Sequence, residues 1–219
     1  MNFCNKIDLM QETEKQNFVE IYGNFFVAMQ ILGNDQLPAT LKRSVKDQKR
    51  FLLLENTDEY QSVLTYFNQT INGKCNQLIK IERIQNETCF GQYLVQCQEF
   101  EKRLKKHTEK RLYHGCPEQA VNSIIETNFD KSFSGLNGAI YGVGVYFSSK
   151  ADFSHGYTVP NDNGERYIFL ARVLLGKITS ASKSMKSPPP RFDSATDRNL
   201  IYVTYHDAQT YPEYLITYR

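Results

Sequence analysis

Between Leu112 and Tyr157 the chain collects side chains suited to gripping a flat ring. Leu112-Tyr113-His114-Gly115 is a short apolar run that ends in an imidazole and a residue with no side chain. Gly142-Val143-Gly144-Val145-Tyr146-Phe147 follows, then Ser154-His155-Gly156-Tyr157. Two tyrosine rings can sandwich a heteroaromatic ligand. A serine hydroxyl and the bare backbone of a glycine can hydrogen-bond a carboxamide on it. The set therefore suits a flat, amide-bearing heteroaromatic ligand. Taken singly the residues say less: a histidine ending an apolar strand reads as a core histidine, and Tyr146 and Tyr157 as two sheet aromatics.

The elements that must position these groups can be read from periodicity. In Asp58–Ile71 apolar Tyr60, Val63, Leu64, Phe67 and Ile71 recur at helical spacing, and Asn72-Gly73 stops the helix. Gln77 to Ile84 alternates as a half-buried strand does. A second helix is expected from Glu87 to His107, its charged end facing solvent. A strand carries His114, and Pro117-Glu118 open a further helix, with Glu118 near its positive end. Phe129 to Ala139 and Thr179 to Arg191 read as loops. Tyr167 to Leu175 (YIFLARVLL) is almost wholly apolar, as in a central strand covered on both faces. Leu200 to Tyr205 and Glu213 to Tyr218 are expected to be short strands. The expected class is α+β, a split antiparallel sheet with a few flanking helices. Upstream, Gln16 to Leu32 has near-helical apolar spacing, and the basic run Lys42 to Arg50 reads as a solvated linker or helix face, ahead of a nucleic-acid patch as the alternative. Residues 1–50 are expected to be an N-terminal extension and 51–219 the main folded domain.

Bulk composition restricts the alternatives. At 219 residues with 41% hydrophobic content, 14 tyrosines and 14 phenylalanines, the chain has material for one substantial core. A formal net charge of +2 gives no strong electrostatic case for nucleic acid or membrane. No apolar run approaches the roughly 20 residues needed to span a bilayer, and the first residues lack a signal-peptide pattern. The five cysteines, Cys4, Cys75, Cys89, Cys97 and Cys116, include no CxxC pair. Free thiols in an intracellular, reducing compartment are expected, and no metal site.

In their order, His114-Gly115, the Tyr141–Phe147 segment, Ser154 with Tyr157, and the C-terminal Tyr211-Pro212-Glu213-Tyr214-Leu215-Ile216-Thr217-Tyr218 resemble the catalytic domain of the poly(ADP-ribose) polymerase (PARP) type of ADP-ribosyltransferase, diphtheria-toxin-like in fold. With Ile79–Asn86 the resemblance covers roughly residues 55 to 219, and it is nearest to the mono-ADP-ribosylating, macrodomain-associated members. The resemblance implies NAD+ as co-substrate. It implies that the His114 ring bonds the adenosine ribose 2′-OH, that the Gly115 backbone bonds the nicotinamide carboxamide, and that Ser154 donates to the carboxamide oxygen. Tyr146 and Tyr157 would stack on the nicotinamide, with Phe147 and Cys116 also contacting the cofactor. Cys116 stands where relatives carry Ser or Thr, which weakens one expected hydrogen bond to the ribose.

The third position of the family's triad is where the chain departs from the polymerising enzymes. Alignment of the whole tail puts Ile201 there and leaves Glu213 on the terminal strand, giving His114, Tyr146 and Ile201. A carboxylate at that place would stabilise an oxocarbenium-like state and activate an acceptor hydroxyl. Isoleucine can do neither, so a single transfer is expected and chain growth is not. The expected function is mono-ADP-ribosylation of a protein side chain, on other proteins or on itself. A catalytically silent NAD-binding module and a modifier of nucleic-acid ends stand as the alternatives.

Overall fold

The computed structural model describes residues 48–131 and 140–219. The expected helix at 16–32, the basic run up to residue 47 and most of the 129–139 loop lie outside them. Nine strands form one sheet: β1 (Arg50–Leu52), β2 (Leu78–Ile84), β3 (Glu109–Cys116), β4 (Val145–Ser148), β5 (Arg166–Leu174), β6 (Ile178–Ser180), β7 (Ser194–Thr196), β8 (Ile201–Thr204) and β9 (Thr210–Tyr218). Their spatial order is β1-β2-β9-β5-β3-β4-β8-β7-β6. All neighbours are antiparallel except β6 and β7. The sheet is split at one place. β3 and β5 stay in register over all eight residues of β3, whereas β3 and β4 share the single pair Tyr113–Ser148.

Alternation along β5 defines two buried faces. Ile168 and Leu170 join a core with Tyr113, Ile216 and Tyr218. Tyr167, Phe169, Ala171 and Val173 join another with Leu112, Cys116, Phe147 and Leu215. Helix α1 (Asp58–Ile71) covers the first face with Tyr60, Val63, Phe67 and Ile71. It starts where the Thr57 side chain accepts the Tyr60 N–H, and it ends at Asn72 in the left-handed region, φ 54°. Phe67 is fully buried, so Phe67→Ala would cost about 3–5 kcal/mol and release the helix from the sheet. Helix α3 (Glu118–Thr127) covers the other face with Val121, Ile124 and Ile125. Helix α2 (Glu87–Leu104) is capped by Asn86, whose amide also donates to the Ile125 and Glu126 carbonyls at 2.8 and 3.0 Å. Phe90 meets the ring of Tyr211 edge-on at 4.9 Å.

Several expected boundaries shift for identifiable reasons. α2 stops at Leu104, three residues short of the expected end, because Lys105 turns left-handed at φ 56°. β9 begins at Thr210, ahead of Pro212; a register shift at Leu170/Ala171 sets Pro212 beside Ala171 at a bulge, where a missing N–H costs little. The expected 179–191 loop opens with β6. Arg50 is not a solvated linker residue: it lies in β1 and pairs with Glu82 at 2.7 Å. Arg172, the one charge in the apolar run of β5, is 2% exposed and is answered by Glu213 on β9 at 2.8 Å. Among the described residues no helix is long and apolar enough to cross a membrane.

Candidate active site

Where β3 and β4 part, a cavity of about 400 Å³ opens through the sheet, within the usual range for small-ligand sites. Its wall includes Ala120 and Ile124 from α3 and Phe129 on one side. On the other it includes Phe153, Ser154 and Tyr157, from helix α4 (Ala151–His155) and the turn after it. His114, Gly115, Cys116, Tyr146 and Phe147 line the gap between them. Seven of the eight expected site residues therefore meet in one cavity. Ile201 is the exception and is treated below.

His114 lies two residues before the end of β3. Its Nδ1 is 2.8 Å from the Tyr146 carbonyl across the gap. A carbonyl only accepts, so Nδ1 carries the proton and Nε2 keeps a lone pair. Burial holds the imidazole below its ordinary pKa, the Tyr146 carbonyl only partly opposing this. The neutral ring is thus fixed in one tautomer, with Nε2 an acceptor for a hydroxyl. Phe129 packs edge-on against it at 5.0 Å, and Phe147 is tilted at 5.5 Å. Phe147 is 1% exposed and also meets Phe129 edge-on at 5.1 Å, so the three rings pack together at the cavity wall.

Gly115 is required by close approach. A Cβ there would lie 1.9 Å from the Ser154 carbonyl oxygen and 3.1 Å from a methyl of Thr158. Only glycine lets α4 sit this close to β3. Gly115 also lies past the Tyr113–Ser148 pair, where β4 has left the side of β3, so the backbone there borders the cavity.

Tyr146 is pinned at its hydroxyl, which donates to the Gly142 carbonyl at 2.6 Å and accepts the Tyr141 N–H at 3.0 Å. The GVG segment makes this possible. Gly142 has φ +97° and sits against the Met185 carbonyl, 2.3 Å from where a Cβ would be, a position closed to other residues. Tyr146 and Tyr157 are half-buried and both face the cavity. Burial raises both phenol pKa values, so each ring stays neutral. Each packs with a neighbour, Tyr146 with Tyr141 at 6.2 Å and Tyr157 with Phe153 at 5.6 Å.

Ser154 is buried, and its hydroxyl donates to the Tyr113 carbonyl at 3.1 Å. With its proton so engaged it faces a ligand as an acceptor, and donation to a carboxamide oxygen needs the hydroxyl to turn about its Cβ–Oγ bond and release the Tyr113 carbonyl. The Cys116 thiol is pushed up to about 12 by burial, so it stays protonated and unreactive.

Ile201, 3% exposed, is paired with Ser148 and does not line the cavity. It shares a core with Val203 and Tyr205, against which Tyr146 and Phe153 pack, so it stands one layer behind two cavity residues. Glu213 is placed quite differently. It takes two hydrogen bonds from Arg111, at 2.8 and 3.0 Å, and one from Arg172 at 2.8 Å. It lies on β9, two strands from β3 and outside the cavity wall. Sequence reasoning missed Ala120, Phe129 and Phe153, which carry no motif, and the His114–Tyr146 bond, whose acceptor is backbone.

Comparison with known proteins identifies the family. The family described as the poly(ADP-ribose) polymerase catalytic domain matches residues 57–199, ending two residues short of Ile201. Protein mono-ADP-ribosyltransferase PARP10 of Mus musculus is 34% identical over 180 residues, which is 75% of this chain and 19% of the relative. PARP14 of Homo sapiens, also named a protein mono-ADP-ribosyltransferase, is 34% identical over 76% of this chain and 10% of its own length. PARP12 of Mus musculus, named likewise, is 36% identical over 78% of this chain and 25% of its own. The chain thus spans a quarter or less of the length of these relatives. With its fold, its cavity and a match over more than half its length, the chain belongs to the poly(ADP-ribose) polymerase catalytic-domain family.

Proposed function

We propose that this chain is a mono-ADP-ribosyltransferase that takes NAD+ and transfers one ADP-ribose to a protein side chain, releasing nicotinamide. The observation that carries the reading is the cavity in the split sheet. It offers a neutral imidazole acceptor at Nε2 and two neutral tyrosine rings, and no carboxylate comes from the strand behind them. The names of the relatives support the single-transfer outcome.

In this reading nicotinamide lies between Tyr146 and Tyr157, with its carboxamide on the Gly115 backbone and Ser154. Nε2 of His114 accepts the proton of a ribose hydroxyl. Offset stacking contributes about 0.5–1.5 kcal/mol per ring pair beyond burial, and the serine about 1 kcal/mol net. The C1′–N bond breaks, its electron pair leaves with nicotinamide, and the acceptor's nucleophile forms the new bond at C1′. Charge at C1′ develops without a glutamate, so an acceptor bearing its own carboxylate, or another competent nucleophile, is needed. A second ADP-ribose would need a base to deprotonate a ribose hydroxyl, and Ile201 supplies none. Residues 51–219 are the catalytic unit in this reading and 1–50 an extension. The free thiols of Cys75, Cys89, Cys97 and Cys116 fit a reducing, intracellular setting.

Incubation with labelled NAD+ tests this directly. A discrete labelled protein band is expected; a ladder or smear would overturn the single-transfer reading. A benzamide-type analogue should raise the Tm by mass action, and Tyr157→Ala should remove that shift more completely than Tyr141→Ala. No shift at millimolar analogue in folded protein would refute the pocket assignment. A shift without labelling would favour a silent NAD-binding module.

A further inference from the structure

Cysteine spacing gives no zinc signature in this chain, yet folding brings metal-ligand types together at a spacing no such signature contains. Cys97 and Glu101 lie four residues apart in α2, on one side of the helix. The left-handed residue Lys105 ends that helix, with its N–H bonded to the Glu101 carbonyl at 2.9 Å. This reversal swings His107 back over the same side. The Cys97 thiol, a Glu101 carboxylate oxygen and a His107 ring nitrogen then all lie within 4.8 Å of one another. Glu101 Oε1 is the common point, 2.9 Å from His107 Nδ1 and 3.8 Å from Cys97 Sγ.

The geometry points to a Zn²⁺ site formed by Cys97, Glu101 and His107, with water at the fourth position. Bond lengths of about 2.0–2.3 Å in a tetrahedron put ligand atoms about 3.3–3.6 Å apart. The two separations from Glu101 bracket that range, so small side-chain rotations complete the site. A thiolate, an imidazole and a carboxylate form a donor set that zinc accepts. The local field is mixed: burial and then Glu101 and Glu109 push the Cys97 thiol up to about 12, Arg172 acts against them, and the carbonyl end of α2 adds the negative end of its dipole. Arg103 is turned elsewhere, onto Glu99 at 2.8 Å and Asp193 at 2.7 Å. The His107 side chain is 51% exposed and gives the ion a way in, while Cys97 is 6% exposed and shields the bond to sulfur. Binding releases the thiol proton to solvent and leaves histidine neutral.

The site would act as a clip. It joins the end of α2 to the residue two before β3, the strand whose far end carries His114 and Gly115. The inference stands apart from the transfer reading, and its test uses no NAD+. The full chain, stripped with a chelator, is titrated with Co²⁺ and separately with Zn²⁺. A thiolate-to-cobalt charge-transfer band is expected. Zn²⁺ at about a hundredfold over its Kd should raise the Tm by about 5–10 °C. Cys97→Ser should abolish the band, Cys75→Ser should leave it, and His107→Ala, at an exposed position, should weaken binding about tenfold or more. No band and no Tm rise would overturn the site, as would a band surviving in Cys97→Ser. Should Cys97→Ser fail to fold, unchanged affinity in His107→Ala would overturn it alone.

Discussion

Replacing Gly115 by alanine tests the central geometry, because one methyl group has nowhere to go. The new carbon would stand 1.9 Å from the Ser154 carbonyl oxygen. Ordinary contact begins at about 3.5 Å, so the carbonyl must retreat by about 1.5 Å. The obstacle is backbone on both sides, one part in the paired strand β3 and the other in α4, so no side-chain rotation relieves it. Overpacking of this kind costs about 1–3 kcal/mol, which in a chain of this size lowers the Tm by about 2–12 °C. The shift also carries Ser154, with Phe153 and Tyr157 nearby, off the cavity wall. A misplacement near 1 Å costs about a hundredfold in rate, so transfer should fall at least that far in protein that is still folded. Gly91→Ala is the matched control, since a Cβ there meets nothing within 4 Å. In mid-helix it should stabilise by about 1 kcal/mol and leave transfer alone. The assay pairs thermal unfolding with single-turnover labelling on one preparation of each variant. If Gly115→Ala matched the parent in Tm, analogue binding and labelling, the close approach of α4 to β3 would be wrong and the pocket with it.

Glu213→Gln should destabilise by about 1.5–3 kcal/mol in urea unfolding, since the buried Arg172 exchanges a bond to a carboxylate for one to a neutral amide and keeps the attraction of Glu109, while the folded fraction keeps its transfer. Loss of transfer at unchanged stability would make Glu213 the reacting carboxylate after all. Ile201→Glu should lower the Tm and still give a discrete labelled band, because a carboxyl among Val203, Tyr205 and Leu200 has a raised pKa and is largely neutral; long polymer from this one change would show that an acceptor surface had been present throughout. The depressed pKa of His114 sets a pH dependence. Above the ordinary imidazole value both folded and unfolded chains are neutral there and its contribution is complete. Below it the unfolded chain takes up the proton first, so stability falls as pH drops, until the folded ring is also charged. Tm measured from about pH 7.5 to 5 should decline, and His114→Gln should make the decline shallower; an unchanged slope would mean the ring is not held neutral.

How much of this was legible in the sequence depended on whether a signal was local. Helix α1 could be read to its end residues because Tyr60, Val63, Phe67 and Ile71 keep one period up to the asparagine stop; its Thr57 cap emerges only in the fold. β5 could be read as central from an apolar run broken only by Arg172. β1, β6 and β7, at three residues each, are too short to show alternation, and they exist because a neighbouring strand offers them an edge. In the site the residue types were legible and their states were not. That Ser154 already spends its proton on Tyr113 follows from where α4 lands on β3. That His114 has one fixed tautomer follows from a backbone carbonyl 32 residues away in sequence. Placing Glu213 off the site needed the tail aligned as a whole, and its reason, two arginines from two other strands, is visible only once folded.

The single pair joining β3 to β4 has a consequence for motion. Strands that share a full ladder open together, because breaking one rung exposes the next. Across this seam there is almost no ladder to break. The block β1-β2-β9-β5-β3 and the block β4-β8-β7-β6 should therefore exchange their amide protons as two separate cooperative units, with the slowest amides in β5 and β9. His114 sits on one block and Tyr146 on the other, tied by one side-chain bond. A breathing motion that leaves both blocks intact can thus widen or narrow the space between the two residues.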